Sequence, residues 1–407
     1  MPTHTNGGPG ALNSIGVGLK RKVEADLAAC IGCHECLQAC PVAGPELRIA
    51  DLNAATVGII PPSDVIRRFV WECFQCGRCV PACPVGLERD AMVLWQKSNL
   101  YPRPKAYADQ LRLMGGGGGV ARRAEQSLLN LQARPRLKGL AQHVDKRTLR
   151  AADTLFFFGC NIFSETGTAA KVLALADYLG CNYEVLGGMR SCCGWPHLLS
   201  GDLARSEELM DHLFGRIQAA APREVVTIGA ECYTALKRLV AVKGEAFMPV
   251  TTASWIRRNL HRFPIKQVAD PLTFHDACHI SRKLDEGEEA RRILRQFGYL
   301  IEMPQSGGNG VCCGYHQFEV NPAQVVHLRK KRLAMARQTG AGTMVVECVR
   351  CLEAFAPLAD EAGVRVVDLV DLVHDAVKDD SRMKPQPVHF TSPITQGRKG
   401  PIPAEGA

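Results

Sequence analysis

Short apolar runs alternate with stretches of helical apolar spacing along the chain from about residue 150 onward. Thr154-Leu-Phe-Phe-Phe158 reads as a buried strand ending at Gly159-Cys160, and Ala169 to Leu179 reads as a helix closed by Gly180. Glu224-Val-Val-Thr-Ile228 predicts a second strand, ending beside Cys232. The texture then returns. Leu272-Thr-Phe274 runs toward Cys278, Glu289 to Phe297 predicts a helix before Gly298, and Thr343-Met-Val-Val-Glu347 ends at Cys348. Asn321-Pro322, an N-cap followed by proline at the first helical position, opens the helix before that last strand. Cysteines at strand ends suit an α/β fold, in which ligands bind at the carboxyl edge of the strands.

The N-terminal part is different. Pro61-Pro62-Ser63-Asp64 followed by Val65, Ile66, Phe69 and Val70 predicts a helix leading into Cys73, within a mainly helical cysteine-rich module. Residues 1–20, rich in Gly, Asn and Pro, are expected to lack order, as is the proline-containing tail from about Asp379. Gly115 to Gly119 predicts a flexible joint; it follows no strand and lacks the spacing of a dinucleotide fingerprint. The expected fold class is α+β overall, with tandem α/β domains after the helical module. The expected divisions are a disordered terminus at 1–20, the module at 21–112, a Gly-rich and basic linker at 113–150, α/β domains at 151–265 and 266–378, and a tail at 379–407.

Cysteine spacing changes the picture most. Of eighteen cysteines, seventeen fall into two kinds of pattern, each present twice. Cys30-x2-Cys33-x2-Cys36-x3-Cys40-Pro41 recurs as Cys73-x2-Cys76-x2-Cys79-x3-Cys83-Pro84, the run of a two-cluster bacterial ferredoxin-type module holding two 4Fe-4S clusters. Structural zinc also takes four cysteines, but the doubled run with its prolines favours iron–sulfur over a zinc-stabilised interaction protein. The second pattern, Cys192-Cys193-Gly194, returns as Cys312-Cys313-Gly314. Subtraction exposes a tandem duplication: Cys160 to Cys278 is 118 residues, Cys192 to Cys312 and Cys193 to Cys313 are each 120, and Cys232 to Cys351 is 119. The same offset sets Gly229 opposite Cys348. The second copy therefore offers five thiols, Cys278, Cys312, Cys313, Cys348 and Cys351, and the first offers four, Cys160, Cys192, Cys193 and Cys232. A cubane needs four, so the fifth thiolate has another task, such as serving an opened cluster whose displaced iron meets substrate. Whether the first copy holds a cluster is left open. Cys181, past a helix end, reads as a small buried hydrophobe.

A dicluster module followed by two Cys-Cys-Gly domains resembles the fused catalytic subunits of heterodisulfide reductases, and the iron–sulfur subunits of glycolate oxidase and anaerobic glycerol-3-phosphate dehydrogenase. The resemblance covers roughly residues 25–375. In the heterodisulfide branch it implies a noncubane cluster in each complete Cys-Cys-Gly domain, with paired clusters cleaving a substrate disulfide by reduction. It also implies ligand roles for the five second-copy cysteines. Gly229 departs from the pattern, because it replaces one cysteine of the expected Cys-x2-Cys.

Beside these sulfurs lie His275 and His279 around Cys278, His316 after Gly314, and His197 after Gly194. A proton donor there would assist disulfide cleavage, so Cys312, Cys313 and His279 are the catalytic candidates; the competing role for each histidine is a hydrogen bond to a cluster or a packed loop. Arg282 and Lys283 are candidates for an anionic substrate, or else solvated helix-start charges.

Composition excludes several classes. The formal charge of +8 counts every cysteine as neutral, whereas thiolate-ligated clusters add negative charge, and no aromatic-interleaved basic motif accompanies it, so no nucleic-acid partner is expected. No apolar run reaches transmembrane length and no leader-like N-terminus is present, which predicts a cytoplasmic protein reaching a membrane only through a partner. Many one-electron centres without a Rossmann fingerprint or P-loop require a flavoprotein partner for two-electron chemistry. Two functions remain: an iron–sulfur subunit that itself reduces a disulfide or related sulfur compound, or an electron relay between a flavin-dependent 2-hydroxy acid or glycerol-3-phosphate dehydrogenase and a quinone-linked or other acceptor.

Overall fold

The structure is a computed structural model that describes residues 14–100, 102–105, 111–115, 119–317 and 320–383. The expected disorder of 1–13 and 384–407, and the centre of the glycine run, lie outside the described residues.

In the N-terminal module helices alternate with the loops that carry most of its cysteines, and Ile49–Thr56, Asp64–Glu72 and Arg89–Asn99 are its main packing units. The helix predicted after Pro62 begins as expected, and Ser63 Oγ accepts from Ile66 N at 3.4 Å. Its apolar face, with Ile66, Phe69 and Val70, closes a core with Leu52 and Val93. Residues 14–20 correct one expectation: they form the first turns of the helix Ser14–Ala29. Ile15 and Val23 give that helix a buried face, Ile15 lying in the same core as Leu94 and Leu203. Burial of those side chains outweighs the flexible composition around them.

The predicted linker is also more structured than its charge suggests. Val120–Leu137 is one helix, in which Gln126, Ala133 and Leu137 are buried. Gln126 Nε2 donates to Leu113 O and Gly115 O, each at 2.9 Å. The arginines lie on the remaining faces of the helix, which is why the sequence reads as a solvated connector.

Two parallel sheets follow. The first comprises β1 (Thr154–Gly159), β2 (Tyr183–Gly187), β3 (Glu224–Thr227) and β4 (Met248–Thr251), in the order β2-β1-β3-β4. The second comprises β5 (Leu272–His275), β6 (Thr343–Val346) and β7 (Arg365–Asp368), in that order. A parallel bridge from Leu272 to Leu300 stands where β2 stands in the first copy. All six residues of β1 are buried, as expected for a parallel strand covered on both faces. The predicted strands and helices are present, whereas β2, β4 and β7 have no comparable run to announce them.

The two copies share one apolar core. Phe156, Val226 and Trp255 of the first join Phe274, Ile293, Phe297 and Val373 of the second. Such a shared core fixes the relative placement of the copies, which matters at their strand ends.

Candidate metal centres

The cysteine runs of the module cross over. One open space of about 310 Å³ is lined by Cys30, Cys33, Cys36 and Cys83, with His34 and Arg89. Cys40 instead lies with Cys73, Cys76 and Cys79, whose charges act on one another. The fourth cysteine of each run thus joins the first three of the other, as in two-cluster ferredoxins. Arg89 Nη2 donates to Cys30 Sγ at 3.5 Å and Asn53 Nδ2 at 3.3 Å. Burial raises the Cys30 thiol pKa, yet these donors with Gly32 N hold it below its ordinary value. Cys33 is exposed. In the inner set, burial first and neighbouring negative charge second push Cys40 and Cys79 well up.

In the first cysteine-rich copy, Cys160, Cys192, Cys193 and Cys232 form a buried hydrogen-bonded chain of thiols. Cys160 directly follows β1, and Cys232 lies in the first turn of the helix Ala230–Lys243 after β3. These are the strands at which the order of the sheet reverses, the switch point where α/β folds bind ligands. In the second copy Cys278 follows β5, and Cys348 and Cys351 open the helix Val349–Ala362 after β6.

The glycine of each triplet has a backbone reason. Gly194 and Gly314 have φ of 76° and 64°, and a Cβ on Gly194 would lie 2.6 Å from Ser206 O. That turn aims Gly194 N at Cys192 Sγ at 3.5 Å, and Gly314 N at Cys312 Sγ at 3.3 Å.

All five second-copy cysteines line one open space of about 390 Å³. Cys278 and Cys312 sulfurs are 3.8 Å apart, and Cys312 also hydrogen-bonds Cys313 and Cys76, so the inner module set touches this site. His279, Tyr315, His316, Arg350 and Phe74 complete the wall with Glu231, which comes from the first copy. His316 Nε2 meets Glu231 Oε1 at 2.6 Å. Burial opposes ionisation of the Glu231 carboxyl, but that pairing keeps its pKa below the ordinary value.

Of the other histidines, His279 lies in the cavity wall, edge-on to Trp195 at 5.4 Å, and burial pulls its pKa to about 3, so it is neutral. His275 packs behind the site against Phe355 and receives Arg332 Nε at 3.2 Å. His197 meets Met114 O at 3.3 Å and takes no part in the second-copy cavity. Arg282 and Lys283, candidates for an anionic substrate, are engaged within the chain. The Arg282 guanidinium donates to Gly308 O and Gly310 O and, at 2.7 Å, to Cys76 O, while Lys283 Nζ pairs with Asp90 at 2.8 Å. Both tie the second copy to the module, which no local pattern announces. Cys181, expected to be buried, is only half-buried and packs against the edge of the shared core.

The donor sets fit iron–sulfur clusters. Neighbouring thiols and burial push Cys312 and Cys351 well up, while the same neighbours hold Cys313 and Cys76 down, so the buried thiols cannot all ionise together unless bound cationic iron balances their charge.

Comparison with known proteins agrees. The 4Fe-4S dicluster domain model matches residues 22–84, and the cysteine-rich domain model matches twice, over 154–237 and 272–356. The chain is therefore an iron–sulfur protein with one dicluster domain and two cysteine-rich domains. It is 23% identical to a subunit of the fumarate reductase (CoM/CoB) of Methanothermobacter marburgensis, over 87% of this chain and 73% of that one. It is 23% identical to a subunit of the dihydromethanophenazine:CoB–CoM heterodisulfide reductase of Methanosarcina barkeri, over 86% and 94% of the two chains. A probable glycolate oxidase iron–sulfur subunit of Bacillus subtilis is also 23% identical, over 88% and 95%. Over most of its length the chain is thus similar to subunits of oxidoreductases. Among the described residues, no helix is long and apolar enough to cross a membrane.

Proposed function

We propose that this chain is the sulfur-reducing subunit of a redox complex fed by a flavoprotein partner. In this reading the outer set, Cys30, Cys33, Cys36 and Cys83, receives electrons at its exposed Cys33 side. The inner set, Cys40, Cys73, Cys76 and Cys79, passes them on through the contact between Cys76 and Cys312. The two module sets would each hold a 4Fe-4S cluster, which would supply one-electron chemistry, and the five second-copy thiolates Cys278, Cys312, Cys313, Cys348 and Cys351 would hold a cluster offering an iron site for sulfur. Cys160, Cys192, Cys193 and Cys232 of the first copy would hold a further cluster able to take up one electron. Reduction of a disulfide balances as R–S–S–R′ plus two electrons and two protons giving RSH and R′SH; the S–S bond breaks and two S–H bonds form.

The observation that carries this reading is the open space where five cysteines meet the His316–Glu231 pair beside the inner module set. A relay needs no surplus thiol at that point. The pair puts polar groups in the same wall as the sulfurs, while Phe74 and neutral His279, itself packed edge-on against Trp195, keep that wall partly apolar.

Anaerobic iron and sulfide quantification with EPR on the wild type, Cys312→Ser and Cys351→Ser, with and without candidate disulfides, tests it. The expected result is iron for four clusters and a signal that needs both cysteines and changes on adding a disulfide. Signals indifferent to disulfides and to both substitutions would leave the relay of a 2-hydroxy acid or glycerol-3-phosphate dehydrogenase as the function.

A further inference from the structure

Positions 231 and 350 are equivalent under the repeat, because 350 − 231 = 119, the offset that also relates Cys232 to Cys351. Each lies in the first turn of the helix that follows the central strand of its own copy, and each side chain crosses to the other. Glu231 enters the second-copy cavity; Arg350 reaches Cys160. The backbones meet at the same place, where Ala230 N donates to Cys348 Sγ at 3.4 Å and Val349 N to Ile228 O at 3.3 Å.

Arg350 is 7% exposed, and its orientation is fixed from several segments. Its guanidinium donates to Cys160 Sγ at 3.6 Å, to Ser164 Oγ at 3.1 Å, to Tyr315 Oη at 2.6 Å and to Glu353 at 2.8 Å. It also lies over the Tyr315 ring at 4.6 Å. An arginine keeps its charge under all conditions of interest, and a planar fork held this way loses little freedom on binding a sulfur. Reduction adds one negative charge to a cluster. A cation donating to a ligand sulfur in a buried setting favours the reduced form, and hydrogen bonds to sulfur are among the determinants of cluster potential.

We propose that Arg350, supplied by the second cysteine-rich domain, is a positioning residue that raises the reduction potential of the cluster held by Cys160, Cys192, Cys193 and Cys232. This rests on the reading that the first copy binds a cluster. The step involved is the gain of one electron from the module centres, with no bond made or broken.

The test is an EPR-monitored redox titration of anaerobic holoprotein, with the first-copy signal assigned by its loss in Cys193→Ser. In Arg350→Gln with iron retained, the first-copy midpoint should fall by at least a tenfold change in equilibrium constant, about 59 mV for one electron. Glu353→Gln, which removes the opposing carboxylate, should move it the other way, and Arg350→Lys should lie between wild type and Arg350→Gln. The module signals should hold still throughout. An unmoved first-copy midpoint, or an equal shift of every signal, overturns the proposal. Should Arg350→Gln lose iron, unmoved midpoints in Arg350→Lys and Glu353→Gln overturn it as well. If the wild type has no signal that depends on Cys193, the underlying assignment of a first-copy cluster fails, a different result from a cluster present but indifferent to Arg350.

Discussion

The side-chain amide of Asn161 occupies the space in which a side chain at Gly229 would begin: a Cβ built there would lie 2.5 Å from Asn161 Nδ2. Asn161 Nδ2 also donates to Cys232 Sγ at 3.6 Å. In the second copy the equivalent places are held by Cys348 and His279. The lost thiol and the asparagine are therefore a matched pair, and the first site is packed as a four-thiol site.

Restoring the thiol alone should consequently harm the fold. Gly229→Cys is expected to lower stability by about 1–3 kcal/mol through overpacking, and Asn161→Ala in the same chain should recover most of that loss. Anaerobic thermal unfolding of the single and double variants measures it; equal stability of the two would show that Asn161 is not the obstacle.

Glu165 supplies a pH prediction. It is 3% exposed, and burial first, then the charges of Glu353 and Asp368, push its pKa up to about 9. An unfolded glutamate titrates near about 4.3, so between that value and about 9 the folded chain keeps a proton that the unfolded chain releases. Stability from this group is complete at lower pH and falls as pH rises through that window, by at most about 1.4 kcal/mol per unit. Glu165→Gln should flatten the dependence and raise the melting temperature relative to wild type at pH 8, with little difference at pH 5. A parallel offset at both pH values would count against it.

The module is pinned to the second copy by Lys283 and Asp90, whose side chains are 20% and 10% exposed and 2.8 Å apart. Lys283→Met should cost about 3–5 kcal/mol by leaving a buried carboxylate unpaired, whereas Lys283→Met with Asp90→Leu should recover much of it. Urea unfolding of both variants checks the non-additivity. Arg282, which holds Cys76 O, should keep the module docked in each.

At the outer set, Arg89 donates to Cys30 Sγ at 3.5 Å and to Asn53 Oδ1 at 2.6 Å. Arg89→Leu is expected to move the midpoint of the outer cluster to more negative potential while leaving the inner one in place. An EPR titration in which both module signals move together would refute a local effect.

Much of the architecture is legible because it depends on local pattern. The all-buried run of β1, the Ser63 and Asn321 caps and the 119-residue repeat are each written in consecutive or regularly spaced residues. The helix at 14–20 and the helix Val120–Leu137 escape a reading of the sequence because a few buried contacts, such as Ile15 and Gln126, override polar or flexible composition. β4 escapes it for a related reason: a short strand at the sheet edge, with half-exposed Met248, carries no continuous apolar run.

By itself the sequence determined the donor atoms: which thiols exist, their grouping by spacing, the fifth cysteine of one copy and the glycine of the other. Only the tertiary structure decided which sets they form and what surrounds them. The exchange of Cys40 and Cys83 between module sets, the contact of Cys76 with Cys312, and the crossing of Glu231 and Arg350 join residues far apart in the chain. Spacing specifies neighbours along a helix or turn, whereas these approaches follow from a shared apolar core that presses the strand ends of two copies together, and no local pattern encodes that closure.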